Sequence, residues 1–246
     1  MRVAVFSDVH GNLESLEAMI DNAADRCVDL YICLGDIVGY GANPNDCFER
    51  LEALPNLHCL LGNHDAAAIW QASPYEMSAN ASKAILWTMD HLSASNAERI
   101  KALETVIQLE DMLFCHANPY NPSGWRYVMG WYQALRSFIA TRCRITFVGH
   151  THRPAVFCRR NALNIDMSDP PDSGIFELET DCRYIFNPGA VGQPRDGNPD
   201  GGYLIFDART QCVEFVRYAY DIENAARRIV DAGLPRHLAE RLFKGR

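Results

Sequence analysis

Three features of the 246-residue chain predict an α/β fold made of two packed, mixed β-sheets flanked by helices. Short apolar or β-branched runs alternate with helix-period patterns over the first two thirds, which implies parallel pairing with helices on the sheet faces. From Ala155 onward the pattern turns strand-rich, which suggests a second, more antiparallel sheet packed on the first. Polar residues stand directly after several of the apolar runs, so those runs end at a shared rim.

The elements follow in order. Val3–Ser7 is an apolar run that ends in Asp8-Val9-His10-Gly11. Asn12 then caps a helix whose apolar face is Leu13, Leu16, Met19, Ile20 and Ala23, at spacings of three and four. Leu30–Leu34 is the next strand, ending in Gly35-Asp36. Asn43-Pro44 starts a second helix, with a capping residue followed by proline at the first helical position. Leu57–Leu61 is a third strand, ending in Gly62-Asn63-His64-Asp65. Residues 66–105 read as a helical insertion, with a capping box at Ser95-Asn96-Ala97-Glu98. Strand runs return at Met112–Cys115 and Ile145–Val148, each followed by histidine or by glycine and histidine. The strand-rich part comprises Ala155–Cys158, Gly174–Glu179, Tyr184–Phe186, Tyr203–Phe206 and Val213–Tyr218. Asp221 to Ala232 is a final helix, closed by Gly233 and Pro235. With no internal repeat and no linker, residues 1–246 are expected to form a single domain.

Composition narrows the function. The chain is 48% hydrophobic and 22% charged, as globular proteins are, and has no run of 18 apolar residues to cross a membrane. The N-terminal apolar stretch Val3–Phe6 is too short for a signal peptide. Nine cysteines stand singly, odd in number and without a CxxC pair, a pattern of thiols in a reducing compartment, so a cytoplasmic location is expected. The formal net charge of −8 and the lack of a basic stripe argue against tracking along long nucleic acid. A small phosphorylated substrate, no membrane partner and an open question of homo-oligomerisation complete the expectation. Metal ions in one cleft would still draw an anion to an acidic protein.

The chemistry concentrates at the strand ends: Asp8 and His10, Asp36, Asn63 and His64, His116, then His150 and His152. Five of the eight histidines fall there. The donors are nitrogen and oxygen without thiolate, which suits manganese, iron, nickel, cobalt or zinc better than magnesium. In this order, Asp8-Val9-His10, Gly35-Asp36, Gly62-Asn63-His64-Asp65, His116 and Gly149-His150-Thr151-His152 resemble the calcineurin-like metallophosphoesterase superfamily, from residue 1 to about Pro194. The flanks Ser7-Asp8-Val9-His10-Gly11-Asn12, Gly39-Tyr40-Gly41 and Asn187-Pro188-Gly189 resemble its small bacterial and archaeal phosphodiesterase branch. The loop Asn118–Trp125 departs from its relatives in its Asn-Pro-Tyr start.

The resemblance implies a four-layer sandwich and two divalent metal ions, manganese first. Asp8, His10 and His152 would hold one ion, Asn63, His116 and His150 the other, and Asp36 would bridge them. His64 would be the general acid or a donor to the phosphoryl oxygen; alternatively it only fixes its loop. Two cations roughly 3.5–4 Å apart cancel the charge repulsion of a phosphate ester, acidify a bridging water and clamp an in-line displacement. The expected activity is hydrolysis of phosphodiesters or phosphomonoesters of small or nucleotide-like substrates by the metal-bridging hydroxide so formed. The alternative is a catalytically weak or inactive protein-binding scaffold on the same fold.

Other residues carry plainer expectations. Asp65, before Ala66-Ala67-Ala68, reads as a helix N-cap. Asn12 caps its helix and lies close enough to touch a bound phosphate. Arg195 would pair with a substrate phosphate through its forked guanidinium or else make a surface salt bridge. His58, His91 and His237 read as surface or structural residues, Trp70, Trp87 and Trp125 as packing, and Arg159-Arg160 as solvated.

Overall fold

Buried strands in this protein are apolar on both faces, and that property dictates a layered structure. The computed structural model describes residues 1–161, 164–168 and 170–246. Its strands are β1 (Arg2–Phe6), β2 (Leu30–Cys33), β3 (Leu57–Cys59), β4 (Val106–Leu109), β5 (Met112–Cys115), β6 (Ile145–Phe147), β7 (Pro154–Arg159), β8 (Ile165–Ser168), β9 (Gly174–Glu177), β10 (Arg183–Pro188), β11 (Gly201–Asp207) and β12 (Cys212–Tyr218). Helices are α1 (Leu13–Ala24), α2 (Pro44–Glu52), α3 (Asn63–Ala68), α4 (Ala79–His91), α5 (Ala94–Lys101), α6 (Trp131–Ala140), α7 (Ile222–Asp231) and α8 (Arg236–Glu240).

Two six-stranded sheets result, in the orders β3-β2-β1-β11-β12-β9 and β4-β5-β6-β10-β7-β8. Pairing is parallel between β1, β2 and β3 and between β5, β6 and β10; the remaining pairs are antiparallel. Because side chains alternate along a strand, each central strand serves two interfaces. Val3 and Val5 of β1 pack between the sheets with Phe114, Phe147, Phe186 and Phe215, whereas Ala4 and Phe6 pack outward with Leu16, Met19 and Phe48 of α1 and α2. On the far side, Leu113, Cys115 and Ile185 pack outward with Phe138 of α6. Helix, sheet, sheet and helix therefore form the four layers that the family resemblance implies.

Local chemistry sets the element ends. Asn12 caps α1 by accepting the Ser15 N–H at 3.1 Å, and Asp221 caps α7 by accepting that of Asn224 at 2.9 Å. One expectation needs correction, and the Asn43-Pro44 helix start holds in position, with Asn43 the N-cap residue of α2. Helix α5 begins two residues before the anticipated box, because the Ser93 hydroxyl accepts the Asn96 N–H at 3.1 Å. Asn43 precedes Pro44 as expected but makes no side-chain cap; its amide donates to Asp46 at 2.7 Å instead. The stretch read as helical at 66–105 holds the second half of α3, a short 3-10 turn at Pro74–Glu76, α4 and α5, with β4 starting at its end. Helices α7 and α8 and the turn after them pack an alanine-rich face on α4, with Ala81, Ala84, Ala225, Ile229, Leu238 and Leu242 in one cluster beside Tyr40. That packing brings the C-terminal segment to the rim at which β1, β2 and β6 end. No helix among the described residues is long and apolar enough to cross a membrane.

The two sheets depend on an aromatic layer in which Phe186 touches Phe147, Phe176, Tyr184 and Phe215. Phe186→Ala is expected to cost about 3–5 kcal/mol in denaturant unfolding, the range for emptying a buried phenylalanine site. A loss under about 1 kcal/mol would mean that the sheets do not meet through this ring.

Candidate metal centre

The rim loops are shaped by main-chain bonds before any side chain acts. Asp8 N donates to the Gly35 carbonyl and His10 N to the Asp36 carbonyl, which locks the loop after β1 to the loop after β2. Val191 N and Gly192 N donate to the Ser7 and Asp8 carbonyls, and Gly149 N donates to that of His116. Strand ends from both sheets are thus stitched together, and residues from 8 to 193 in sequence meet at one place. Glycine is needed where these chains cross: a Cβ on Gly149 would lie 2.0 Å from Ser7 Oγ, and one on Gly192 would lie 1.8 Å from the Val9 carbonyl oxygen.

The backbone at this rim is strained. Asp8, His10, Asp36, His150 and His152 all have positive φ, between 51° and 67°. Side chains other than glycine adopt that region at a cost of roughly 1–3 kcal/mol each, and such residues gather where function requires them.

Two buried carboxylates form the floor. Asp36 Oδ1 accepts the His64 N–H at 2.8 Å, and Asp8 Oδ2 accepts the His150 N–H at 3.1 Å. The other oxygen of each, Asp36 Oδ2 and Asp8 Oδ1, is buried without a hydrogen-bond partner. Asp36 Oδ2 lies 3.6 Å from His10 Nε2 and 3.3 Å from His116 Nε2, so it faces both halves of the site. Asp8 Oδ1 lies 3.2 Å from His152 Nε2 and 3.7 Å from His10 Nε2.

Four imidazoles surround these oxygens, each oriented through its outer nitrogen. His10 Nδ1 faces the Val38 carbonyl at 3.2 Å, His152 Nδ1 that of Gln193 at 2.7 Å, His116 Nδ1 that of Leu34 at 3.2 Å and His150 Nε2 that of Trp125 at 2.8 Å. A carbonyl only accepts, so the outer nitrogen of each ring carries the hydrogen and the inner nitrogen faces the centre. The inner nitrogens come in pairs, His10 with His152 at 3.2 Å and His116 with His150 at 3.2 Å, and Asn63 Oδ1 lies 3.2 Å from His116 Nε2. Such donor sets have more lone pairs than protons to share. They fit divalent cations, one at Asp8, His10, Asp36 and His152, the other at Asp36, His116 and His150, with Asn63 adjacent.

Burial and the facing charges pull on the groups of this site in opposite senses. Burial alone would raise both carboxyls, yet the surrounding histidines hold Asp36 and Asp8 below the usual carboxylate range. Burial drives His150 down to about 4, with His116 adding to the effect, and takes His152 well below its ordinary value. Burial also opposes charge on His116, but the Asp36 carboxylate outweighs it and lifts that ring to about 9.

All seven anticipated ligand residues come together here, and His64 stands beside them, its ring 4.7 Å from that of His10 and 4.5 Å from that of Tyr40. His64 Nδ1 is buried without a partner, and burial holds the ring well below its ordinary pKa. Asp65 is not the N-cap of α3: Gly62 is, and Asp65 reaches back from the third helical position to accept the N–H groups of Gly62, Ile37 and Val38 at 2.9 to 3.0 Å. The carboxylate thereby fixes the loop that carries Asp36 to the loop that carries Asn63 and His64. Asn12 uses its amide on the Ser15 N–H and the Gly192 carbonyl, and does not line the cleft above the centre. His58, His91 and His237 are exposed, away from the site.

That cleft, of about 580 Å³, is lined on one side by Trp125 and Tyr127 and on the other by Tyr40, Arg195 and Arg241. Tyr127 stacks on His150 with ring centroids 4.1 Å apart, and the Trp125 carbonyl orients the same ring. Sequence patterns mark neither Tyr127 nor Arg241. Tyr127 lies in an irregular loop and Arg241 arrives only through packing of the last helices. Gln193 was equally silent, because it contributes its main chain.

A sequence model of the calcineurin-like phosphoesterase superfamily domain matches residues 1–211. The uncharacterized protein MJ0912 of Methanocaldococcus jannaschii is 38% identical over 250 residues, covering 99% of this chain and 98% of that one. The crystal structure of a metallophosphoesterase from Sphaerobacter thermophilus superposes with a TM-score of 0.90 at 37% identity, over 100% of this chain and 99% of the other. Protein PH1004 of Pyrococcus horikoshii has the same fold, with a TM-score of 0.79 at 18% identity over 100% of this chain and 98% of its own. With the two clusters at the strand ends and the match over most of its length, the chain belongs to the calcineurin-like phosphoesterase superfamily.

Proposed function

We propose that the chain is a phosphoesterase of the small bacterial and archaeal phosphodiesterase type. It would use two divalent metal ions, manganese first, to hydrolyse phosphodiester or phosphomonoester bonds of small or nucleotide-like substrates. The observation that carries this reading is the pair of inner-nitrogen contacts at 3.2 Å on either side of the unpartnered Asp36 Oδ2. When bound, the two ions supply charge neutralisation for the phosphate and acidify a water for attack.

The chain's own residues do the rest. Asp8, His10 and His152 would hold one ion and Asn63, His116 and His150 the other, with Asp36 facing both sets. Asn63 offers a neutral oxygen, so it adds no negative charge to a site that must attract an anion. His64, fixed through its main chain to Asp36, donates a hydrogen to the phosphoryl or leaving oxygen. Arg195 offers its forked guanidinium to a phosphate of the substrate from the cleft wall, and the Trp125 and Tyr127 rings face the organic part of a nucleotide-like substrate. Asn12 supports this site only by holding Gly192 in place. The scattered, unpaired cysteines suit work in a reducing cytoplasm.

The test is hydrolysis of bis(p-nitrophenyl) phosphate and p-nitrophenyl phosphate by metal-stripped protein, with and without manganese. Turnover is expected only with metal, and a protein that holds no metal by elemental analysis and turns over neither ester would overturn the reading. Asp36→Asn is expected to lose metal and activity together; full metal content with unchanged turnover would remove Asp36 from the bridging position. His64→Ala is expected to keep its metal and slow turnover by about 10²–10⁴. A normal rate in that variant would assign the donor role to another group.

A further inference from the structure

Arg195 and Arg241 place two guanidinium charges side by side at the mouth of the cleft. Both guanidiniums lie against the ring of Tyr40, at 5.7 and 5.8 Å from its centre, and both line the cleft above the metal centre. Tyr40 in turn touches His10 and His64, with ring centroids 4.7 and 4.5 Å away. No carboxylate side chain among the described residues pairs with either arginine. Arg195 Nη2 donates to Gln193 Oε1 at 2.8 Å, and its Nε is buried with no acceptor. Arg241 gives its Nε to the main-chain oxygen of Arg246. Burial, and then repulsion by Arg195, work against the charge on Arg241.

The same two residues also line a neighbouring cavity of about 780 Å³, together with Arg153, Arg217 and Arg246. Its two acidic residues, Asp172 and Asp196, are both taken up by Arg217. In a chain of net charge −8, this concentration of cations beside a site built to attract phosphate is anomalous unless a second anion comes with the first. Placing two like charges together at the mouth of a cleft is costly without a ligand to offset them, and the forked guanidinium is suited to phosphate oxygens.

We propose that Arg195 and Arg241 form a second phosphate subsite, so that the preferred substrate carries a further phosphate beyond the one hydrolysed. This rests on the phosphoesterase reading for the hydrolysed group but not for the binding itself. The substrate class is a small polyphosphorylated molecule, with one phosphate over the metal centre and the next directed along the arginine wall.

The decisive experiment separates binding from turnover. Tripolyphosphate and orthophosphate are titrated calorimetrically into metal-stripped protein in the presence of a chelator, so that neither probe acts through metal. Tripolyphosphate is expected to bind more tightly than orthophosphate, and Arg195→Gln/Arg241→Gln to weaken it by about tenfold or more, as loss of charge-assisted contacts predicts. Each single variant should weaken it by about threefold or more, so the singles decide if the double variant fails to fold. With metal restored, tripolyphosphate is also tested as an inhibitor of bis(p-nitrophenyl) phosphate hydrolysis at saturating manganese. The variants should lose more affinity for this inhibitor than for the diester. Equal losses for both, or unchanged tripolyphosphate binding, would overturn the subsite. Arginine-dependent binding in a protein that holds no metal and turns over neither the diester nor the monoester would instead keep the subsite and remove the phosphoesterase reading.

Discussion

Two carboxylates buried with one oxygen each unpaired set the terms for this structure. Burying a carboxylate is costly, more so with one oxygen left without a hydrogen bond, and Asp8 and Asp36 do it side by side with histidines facing those oxygens. The surrounding order can be understood as its support. Each carboxylate has its second oxygen fixed by a main-chain N–H, each imidazole is steered by a main-chain carbonyl, and Asp65 ties together the loops that carry Asp36 and His64. The site is thus held from behind by backbone, and the atoms facing the centre are left free for a ligand.

The sheets make that support possible. Strands β1 and β2 end on one side of the rim and β5 and β6 on the other, and the aromatic layer between the sheets sets how far apart those ends lie. Parallel pairing brings several strand ends to the same edge, which is why ligands separated by more than a hundred residues converge. The terminal helices then close one flank. Their alanine-rich contact with α4 permits a close approach, and the close approach carries Arg241 to the cleft.

Much of this was legible in the sequence, for identifiable reasons. Apolar runs such as Val3–Phe6 and Met112–Cys115 read as strands because both faces are buried, and the polar residues after them marked the rim. The ligand residues were visible because each follows a strand directly. Edge strands were harder: β8, with the sequence Ile-Asp-Met-Ser, alternates apolar and polar over only four residues and buries just the first, too short a signal to mark a strand. Residues whose role depends on what packs beside them were hidden as well. Asp65 looked like a cap because its helix context is local, whereas two of its three acceptor bonds go to residues 27 and 28 positions away. Nothing near Arg241 in the chain hints at Tyr40.

The left-handed backbone at Asp8, His10, Asp36, His150 and His152 has an evolutionary consequence. Glycine or asparagine at any of the three histidine positions would relax the chain locally, so mutation offers this protein a standing route to a calmer fold without its site. A lineage released from the need for the site would be expected to take that route first, at these codons rather than in the aromatic layer. In such a lineage the loss would be dated most sensitively at His10, His150 and His152.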